Sequence, residues 1–551
     1  MEKRTGAQFD APAAVFPMRL RLHGLQWLAR YDLVSLFGVL FAMALGSYAR
    51  LIPFWGTDMP LNDGGLFYQM TLDLQQNGFT FPAYATYNGH FIPFAYPPLG
   101  FVLAGLISKL AHISLLQTYQ FLPLLFSILC IPLIFLLARE LLGSRVQAVY
   151  AACAFAVSPR SYEWLIMGGG MTRALGLILV LAALYQGLEW LKYKKPTYIA
   201  TTGILAGLAF LSHPEMYLLL PTSLLLIFLF YDRSVRGFLG LAVSGGIAVL
   251  IASVWWLFVF SRHGAGPLQA ALQSGQHGLD NLVFLLFFNS TAEPFGTLIA
   301  ILALIGIFVA FAQKRWFLPI WFFLLYMVVP RSAPTYVMVP VSMLAALCLD
   351  QVIIPGIQSM QAVLPVPQRA GSKTAPAAGW VITSMFSIFM ILSIMNAWGT
   401  GLLPGTVLKP VSKQERTAME WIRDNTPANA SFLVITAGDQ WSSDRSAEWF
   451  PVLAERSSIN TVQGYEWVPG LSFGERTAQY EHLQECRQSD SQCLERWAAD
   501  YDKDFSYVYV AKTRRGLLQD DCCAILREAL AKSPNYALIY DGPGAVVFRR
   551  R

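Results

Sequence analysis

The sequence predicts an α-helical polytopic membrane protein with a C-terminal α/β domain, and three observations support this. Of the 551 residues, 55% are hydrophobic and only 13% are charged, whereas soluble domains carry about 25% charged residues. The mean hydropathy is +0.46. Long apolar runs recur through the first 400 residues, whereas 20 of the 34 acidic residues follow residue 400. This composition excludes a single soluble globular protein, and nothing in it indicates nucleic-acid binding.

The apolar runs predict about eleven transmembrane helices, because a helix needs about 20 apolar residues to cross the hydrocarbon core. The predicted spans are 33–54, 119–138, 146–158, 174–191, 197–212, 214–231, 238–260, 294–313, 316–330, 335–354 and 379–399. Residues 1–32 carry several basic residues and are too long for a simple signal-peptide leader. They are predicted to form a cytoplasmic tail.

The basic residues predict the orientation, because cytoplasmic loops are enriched in Lys and Arg. If the run 97–115 does not cross the membrane, 16 of the 22 basic residues before residue 400 fall on the cytoplasmic side. Residues 54–118 then form one long outer loop of a transmembrane domain that spans 33–400. An odd number of spans places 401–551 outside the cytoplasm. The chain is therefore predicted to be a multi-pass protein of the cell envelope.

The last 151 residues alternate between strand-like and helix-like segments. Strands are predicted over 431–436, 506–511, 536–540 and 545–548, and helices over 412–424 and 520–533. Ser412 and Glu415 have the spacing of a capping box. The cysteines at 486, 493, 522 and 523 suit an oxidising compartment. Four cysteines allow three connectivities, and a Cys486–Cys493 bridge is one of the pairings left open.

Four predicted outer loops carry ionisable residues at the membrane surface, where such groups are costly and often functional. These residues are Asp58 and Asp63, then Arg160, Glu163 and Arg173, then His213 and Glu215, and finally Arg331. Each has a structural interpretation as well. Asp63 has the position of a helix N-cap for 64–76, and the arginines are able to snorkel to lipid headgroups. Their common location on one face favours a shared functional site.

The first loop contains DGGLFY at 63–68, NGF at 77–79 with Pro82, and YPPLG at 96–100. In this order and topology, the segment resembles the first outer loop of GT-C glycosyltransferases. That superfamily uses polyprenyl-phosphate-linked sugars and includes protein O-mannosyltransferases, aminoarabinose transferases and oligosaccharyltransferase catalytic subunits. The resemblance covers roughly residues 30–220. The chain departs from the pattern in having only Glu163 for the second acidic motif and in lacking the WWDYG motif, of which Trp441–Asp444 is a distant echo.

The resemblance implies an inverting glycosyltransferase that moves a hexosyl or pentosyl group from a polyprenyl-phosphate donor to an acceptor on the extracytoplasmic face. The acceptor class stays open among glycan, lipid and protein. Asp63 is the expected base, with Asp58 and Glu163 as further catalytic candidates. Arg331, Arg173 and Arg160 are the candidates for the donor phosphate. His213 and Glu215 are candidates to orient the sugar or hold a divalent cation, Mg²⁺ or Mn²⁺, and Tyr96 and Trp164 to stack on the substrate.

The C-terminal domain contains a segment rich in aromatic and acidic residues. It has two interpretations: a cap packed on the outer loops, or an acceptor-binding surface formed by Trp441, Asp444, Glu448, Trp449 and Tyr465. Two other function classes also stay open for the whole chain. One is a polytopic transporter or lipid flippase, although no repeated halves are visible. The other is a non-catalytic membrane subunit that scaffolds a larger complex.

Overall fold

The computed structural model describes residues 33–89, 91–274, 291–293, 297–363, 408–438, 440–512, 514–515 and 520–551. The cytoplasmic tail predicted over 1–32 and the span predicted over 379–399 lie outside these residues. Positions below refer to the described parts of the chain.

The first two thirds of the described chain is helical. The helices that follow the predicted spans are α1 (Leu33–Leu51), α4 (Leu115–Leu142), α5 (Arg145–Val157), α6 (Gly170–Tyr193), α7 (Pro196–Phe210), α8 (Met216–Tyr231), α9 (Val235–His263), α11 (Leu298–Ala312), α12 (Phe317–Val328), α13 (Ala333–Tyr336), α14 (Met338–Cys348) and α15 (Ile354–Val363). A short helix, α10 (Gly266–Ser274), follows α9. Fully buried Ala148, Ala151 and Ala152 on α5 leave room for close helix packing, as small residues do in membrane bundles.

Five helical stretches are long and apolar enough to cross a membrane: Ser35–Phe54, Leu115–Leu142, Gly170–Tyr193, Val235–His263 and Ala333–Ser359. Six more apolar helices have 10–17 residues. The multi-pass helical architecture predicted from the sequence is therefore present. The number of eleven spans stays a prediction, because the last predicted span is not among the described residues.

The segment between α1 and α4 is folded. It contains α2 (Gly65–Gln76), a hairpin of β1 (Tyr84–Ala85) and β2 (Ile92–Pro93), and α3 (Leu99–Ala111). Asp73, which is 1% exposed, joins α2 to this hairpin by accepting hydrogen bonds from Thr86 N at 2.8 Å and Thr86 Oγ1 at 2.5 Å. Helix α3 has 13 residues and is about 20 Å long, which is shorter than the hydrocarbon core of about 30 Å.

The C-terminal part is an α/β domain, as predicted. Its helices are α16 (Lys413–Asn425), α17 (Arg445–Leu453), α18 (Phe473–Glu485), α19 (Ser491–Asp500) and α20 (Ala524–Lys532). Its strands are β3 (Ser431–Ile435), β4 (Ser457–Ser458), β5 (Tyr507–Ala511), β6 (Arg514–Arg515), β7 (Asp520–Asp521), β8 (Tyr536–Asp541) and β9 (Ala545–Arg550). A five-stranded sheet has the order β4-β3-β5-β9-β8, in which β3 pairs in parallel with β4 and β5, and the remaining pairs are antiparallel.

One local prediction for this domain is confirmed, and the structure decides one pairing that the sequence left open. Ser412 Oγ accepts a hydrogen bond from Glu415 N at 3.2 Å, and Glu415 Oε2 accepts one from Ser412 N at 3.2 Å, which forms the capping box of α16. A disulfide joins Cys486 to Cys493. Of the three connectivities left open, the structure has the one in which Cys522 pairs with its neighbour Cys523.

The two parts of the protein meet at the start of the first loop. Leu61 forms a parallel bridge with Met167 and an antiparallel bridge with Pro410. Asn62 N donates to Lys409 O at 3.0 Å, and Asn62 Oδ1 accepts from Lys409 N at 2.8 Å. The chain immediately before Asp63 therefore lies between the loop that joins α5 to α6 and the segment that enters the C-terminal domain.

Candidate active site

The carboxylate of Asp63 lies against the loop between α5 and α6. Asp63 Oδ1 accepts a hydrogen bond from Gly169 N at 2.8 Å, and Oδ2 forms an ion pair with Arg173 in the first turn of α6. The side chains of Asp63 and Arg173 are 17% and 16% exposed. The N-cap interpretation of Asp63 is wrong, because the N-cap of α2 is Gly64 at φ +115° and no side chain caps this helix.

Glycines at positions 64, 168 and 169 permit the close approach of these loops. A Cβ atom on Gly169 would lie 2.6 Å from Asp63 Oδ2 and 2.5 Å from Arg173 Nη2. A Cβ on Gly64 would lie 2.8 Å from the backbone of Gly168, and Gly64 has a positive φ that also disfavours a side chain. The glycine run at 168–170 therefore brings its backbone onto Asp63. No sequence motif indicated this role for the run.

An aromatic group surrounds the arginine side of the site. The Arg173 guanidinium lies 5.1 Å from the ring centroid of Trp164. The Tyr96 hydroxyl is 3.3 Å from Thr172 Oγ1. Burial raises the pKa of Tyr96, whereas the hydrogen bond to Thr172 and the charges of Arg173 and Arg331 lower it. Tyr96, Trp164, Arg173 and Arg331, all predicted from the sequence, are therefore close enough to act on one region.

His213 and Glu215 connect two further loops to this region. Glu215 accepts hydrogen bonds from Ser332 Oγ at 2.6 Å and Tyr336 Oη at 2.9 Å, so it holds the segment that follows Arg331. Burial lowers the pKa of His213 to about 4, with the positive charges of Arg173 and Arg331 acting in the same direction and Glu215 opposing them. His213 is therefore neutral near pH 7. Its ring lies 6.0 Å from that of Tyr96.

The C-terminal domain adds carboxylates to the site. Glu448 is 5% exposed and accepts a hydrogen bond from Gly64 N at 2.7 Å. Burial and the charge of Asp63 raise the pKa of Glu448 to about 8. Trp449 Nε1 donates to Asn62 O at 2.9 Å. Burial also raises the pKa of Glu466, and the charge of Arg331 opposes this rise.

Ser332, Tyr336 and Glu466 were not predicted. Each lies far along the chain from the motif at 63–68, and no motif marks it.

Three further residues predicted for the site, Asp58, Arg160 and Glu163, have other partners. Asp58 is exposed and accepts a hydrogen bond from Arg416 Nη2 of α16 at 2.5 Å, and this bond lowers the Asp58 pKa. Arg160 and Glu163 form an ion pair at 3.9 Å, and burial raises the Glu163 pKa. Among the described contacts, none of the three is hydrogen bonded or ion-paired to Asp63 or Arg173.

Three predicted residues of the C-terminal domain are held within that domain. Asp444 caps α17 through Ala447 N at 3.1 Å and accepts from Tyr480 Oη at 2.5 Å. Trp441 packs on Phe473 with ring centroids 5.3 Å apart. The Tyr465 ring lies 4.4 Å from the Arg476 guanidinium. Glu448 and Trp449, by contrast, face the first loop.

The side chains around Asp63 do not form a metal-binding set among the described residues. Within the described ranges, no three His, Cys, Asp or Glu side chains lie close enough together to hold a metal ion. Both carboxylate oxygens of Asp63 already accept from Gly169 or Arg173. His213 and Glu215 approach each other to 3.8 Å but have no third partner of this kind among those residues. The side chains that the structure describes at this site therefore do not form a set that fits a divalent cation.

A family model and several solved structures are similar to this chain. The model of the family "Dolichyl-phosphate-mannose-protein mannosyltransferase" matches residues 95–258. The archaeal oligosaccharyltransferase AglB from Archaeoglobus fulgidus, solved with an inhibitory peptide and a dolichol-phosphate, is similar at a TM-score of 0.59 and 15% identity over 88% of this chain and 70% of that chain. A comparison with curated proteins gives no match.

Two further solved structures are similar. ArnT from Cupriavidus metallidurans, bound to undecaprenyl phosphate, has a TM-score of 0.51 and 12% identity, over 96% of this chain and 98% of that chain. An A. fulgidus oligosaccharyltransferase in complex with Zn and sulfate has a TM-score of 0.54 and 17% identity, over 86% of this chain and 68% of that chain. At these identities, the likeness is one of fold.

Proposed function

The chain has the fold of the GT-C membrane glycosyltransferases, and from this premise we propose that it is an inverting glycosyltransferase of the cell envelope. It transfers a hexosyl or pentosyl group from a polyprenyl-phosphate-linked donor to an acceptor on the extracytoplasmic face. One observation carries the proposal. The carboxylate of Asp63, in the first loop, forms an ion pair with Arg173 and accepts a hydrogen bond from Gly169 N. The dolichol-phosphate and undecaprenyl phosphate bound by AglB and ArnT support the donor class.

Asp63 is the proposed base. As the acceptor oxygen forms its bond to the anomeric carbon, the acceptor proton passes to an Asp63 oxygen, and the bond from that carbon to the phosphate oxygen breaks. The leaving polyprenyl phosphate keeps the electron pair. A general base of this kind contributes about 10²- to 10⁴-fold in rate. The ion pair with Arg173 and the hydrogen bond from the Gly169 N–H fix the orientation of the Asp63 carboxylate.

Arginines are the proposed phosphate ligands, because a fixed guanidinium stabilises charge that develops on a leaving phosphate. Arg331 is exposed and is therefore open to a donor. Arg173 lies between Asp63 and Trp164, so one guanidinium contacts the base and faces the aromatic group. Arg160 is paired with Glu163 and is therefore the less favoured phosphate ligand.

Tyr96, Trp164, His213 and Glu215 are the proposed sugar-facing residues. Aromatic rings and neutral or charged hydrogen-bonding groups recur in pockets for polar ligands. Neutral His213 is able to donate or accept a hydrogen bond without adding charge beside the two arginines. Glu215 keeps the Arg331 segment in place through Ser332 and Tyr336, so its removal is expected to disturb donor binding as well.

The test is release of polyprenyl phosphate from defined donors by the full chain in lipid nanodiscs. The probes are dolichyl-phosphate mannose, undecaprenyl-phosphate mannose and undecaprenyl-phosphate arabinose. We expect turnover of at least one donor by the wild type and loss of turnover in Asp63→Asn. Arg331→Gln is expected to raise KM for the donor. The matched control is Arg262→Gln, which removes an exposed arginine at the end of α9 and should leave turnover unchanged.

A second measurement separates transfer from lipid movement. In proteoliposomes, lipid flipping that persists in Asp63→Asn without sugar transfer by the wild type would replace the transferase proposal with the flippase alternative. Full transfer by a correctly inserted Asp63→Asn protein would remove Asp63 from the base role.

A further inference from the structure

One buried carboxyl group, that of Glu448 in the C-terminal domain, contacts the chain beside Asp63. Glu448 Oε1 accepts from Gly64 N at 2.7 Å, and Glu448 O accepts from Tyr87 Oη at 2.7 Å. The next residue, Trp449, donates to Asn62 O at 2.9 Å. Asn62 and Gly64 are the chain neighbours of Asp63, so α17 is bonded to the backbone on both sides of the proposed base.

The first turns of α2 and α17 also pack closely against each other. A Cβ on Gly65 would lie 2.7 Å from Glu448 O, so the first turn of α2 and the first turn of α17 approach without an intervening side chain. Trp449 is fully buried and its ring centroid lies 5.7 Å from that of Tyr68 on α2. The position of Asp63 therefore depends on α17 as well as on the glycine run at 168–170.

Three titratable groups from different elements face Glu448. Asp63 precedes α2, Arg173 lies in the first turn of α6, and Tyr87, whose hydroxyl donates to Glu448 O, lies beyond β1. Burial is the largest influence and the Asp63 charge the next, and together they raise the Glu448 pKa to about 8, against hydrogen bonds from the backbone of Gly64 and Leu66 and the charge of Arg173. An unpaired ionised carboxylate at 5% exposure would be costly. Near neutral pH the group is therefore mainly the uncharged acid.

We propose that Glu448 is a positioning residue for Asp63, acting through the hydrogen bond that it accepts from Gly64 N. This inference rests on the proposed glycosyltransferase function. Packing of the C-terminal domain then completes the site, because Glu448 of that domain accepts the hydrogen bond from the Gly64 N–H. The domain acts through Asp63 here, without a requirement that Glu448 contact the acceptor substrate.

Ionisation of Glu448 gives the proposal its measurable consequence. A second negative charge beside Asp63 disfavours the approach of a phosphate-bearing donor and also disfavours burial of the α17 contact. Turnover should therefore fall on the alkaline side, by about tenfold per pH unit once Glu448 is largely ionised, if only the neutral form is active. A glutamine retains the carbonyl oxygen that accepts from Gly64 N and has no proton to lose.

The experiment measures polyprenyl phosphate release by the full chain in nanodiscs from pH 6 to pH 10, with undecaprenyl-phosphate mannose and dolichyl-phosphate mannose as probes. Wild type is expected to lose activity above about pH 8, whereas Glu448→Gln retains most of its neutral-pH turnover and lacks that alkaline fall. Glu448→Ala should lower kcat at all pH values with little change in donor KM. Glu420→Gln, which removes an exposed carboxylate from α16, should follow wild type.

A substrate-free readout separates this inference from the proposed function. The infrared carbonyl absorption of a protonated carboxylic acid should appear in the wild-type minus Glu448→Gln difference spectrum and titrate near pH 8. Identical alkaline profiles for wild type and Glu448→Gln, or no such band at pH 6.5, would overturn the role of Glu448 while leaving Asp63-dependent transfer intact. Absence of turnover in every probe with a normal band would instead count against the transferase proposal.

Discussion

Two aspartates of this chain occupy similar sequence settings and have different surroundings in the structure. Asp63 follows a turn and precedes a helix, and so does Asp444. Asp444 caps its helix and is 4% exposed, with bonds to Ala447, Tyr480 and Thr436 of its own domain. Asp63 leaves its helix uncapped and turns toward Gly169 and Arg173 of another loop.

The difference shows what distinguishes a candidate catalytic carboxylate from a structural one here. Every bond of Asp444 is made to neutral donors within its own domain, and the group stabilises that domain. Asp63 is paired to a cation, is 17% exposed, and lies where the first loop, the α5–α6 loop and the C-terminal domain meet. The chemistry of the bonding partners and the location in the fold distinguish the catalytic candidate Asp63 from the structural Asp444. The neighbouring residues in the sequence do so less well.

The largest expected effect tests this comparison directly. Asp63→Asn should lower kcat by about 10²- to 10⁴-fold, the usual contribution of a general base, with an unchanged melting temperature. Asp444→Asn should lower the free energy of unfolding by about 1–3 kcal/mol, because a buried hydrogen-bond network is weakened. Donor turnover and thermal melting of both proteins measure the two effects. A turnover loss in Asp444→Asn without a change in melting would reverse the assignment.

The next effect concerns the glycine that permits the Asp63–Arg173 pair. In Gly169→Ala the new Cβ would lie within 2.6 Å of Asp63 Oδ2, so the pair must separate. We expect turnover to fall by about tenfold or more, since small misplacements of reacting groups are costly.

The control for this change is Gly245→Ala in α9, where an added Cβ has no neighbour within 4 Å. Alanine there should stabilise the helix slightly, by about 0.5–1 kcal/mol. Steady-state turnover and melting in nanodiscs give both values. Equal turnover in the two variants would show that the glycine is dispensable.

A smaller effect is expected from the Cys486–Cys493 disulfide, which closes a short loop of sequence separation 7. Loop entropy predicts that its loss lowers the stability of the C-terminal domain by about 2–3 kcal/mol. Cys486→Ser with Cys493→Ser should therefore melt earlier and retain its turnover per folded molecule. Denaturant titration followed by tryptophan fluorescence measures this change, and a loss of turnover in the folded protein would place the bridge closer to function.

The smallest effect is expected from Asp58, a predicted catalytic residue that pairs with Arg416. Its lowered pKa means that the pair stabilises the fold above pH 3.8 and that this contribution is lost as the pH falls through the folded-state pKa. Because Asp58 is exposed, its side chain being 73% accessible, Asp58→Asn should change stability by less than about 1 kcal/mol. Melting curves from pH 3 to pH 7 test this, and a large loss of turnover would return Asp58 to the catalytic group.

Much of the fold was predictable because it follows from local composition. Apolar runs gave the membrane helices to within a few residues, since burial in lipid requires long apolar stretches. Alternating strand and helix segments gave β3, β5, β8 and β9, and the Ser412–Glu415 spacing gave the start of α16. The fold expected from the resemblance is confirmed, because AglB and ArnT have similar folds.

The site was predictable only in part. Two signals identified part of it: the small number of ionisable residues in the loops, and the motifs of the first loop. They gave Asp63, Tyr96, Arg173 and Arg331. Gly169 was visible without a role, Glu448 was assigned to an acceptor surface, and Glu466, Ser332 and Tyr336 were not predicted. Groups that contact one another here are separated by up to 387 residues, as Asn62 and Trp449 are, and single-sequence patterns carry no information about such pairs.

The sequence by itself therefore determined the environment of each segment, because hydrophobicity and charge are local properties that decide between lipid, water and a soluble core. Only the tertiary structure decided which polar groups share a site. It placed a glycine backbone, an arginine and a protonatable glutamate around one aspartate, since loop closure between distant segments depends on the packing of the whole chain. That arrangement, and not the count of charged residues, makes Asp63 the proposed base.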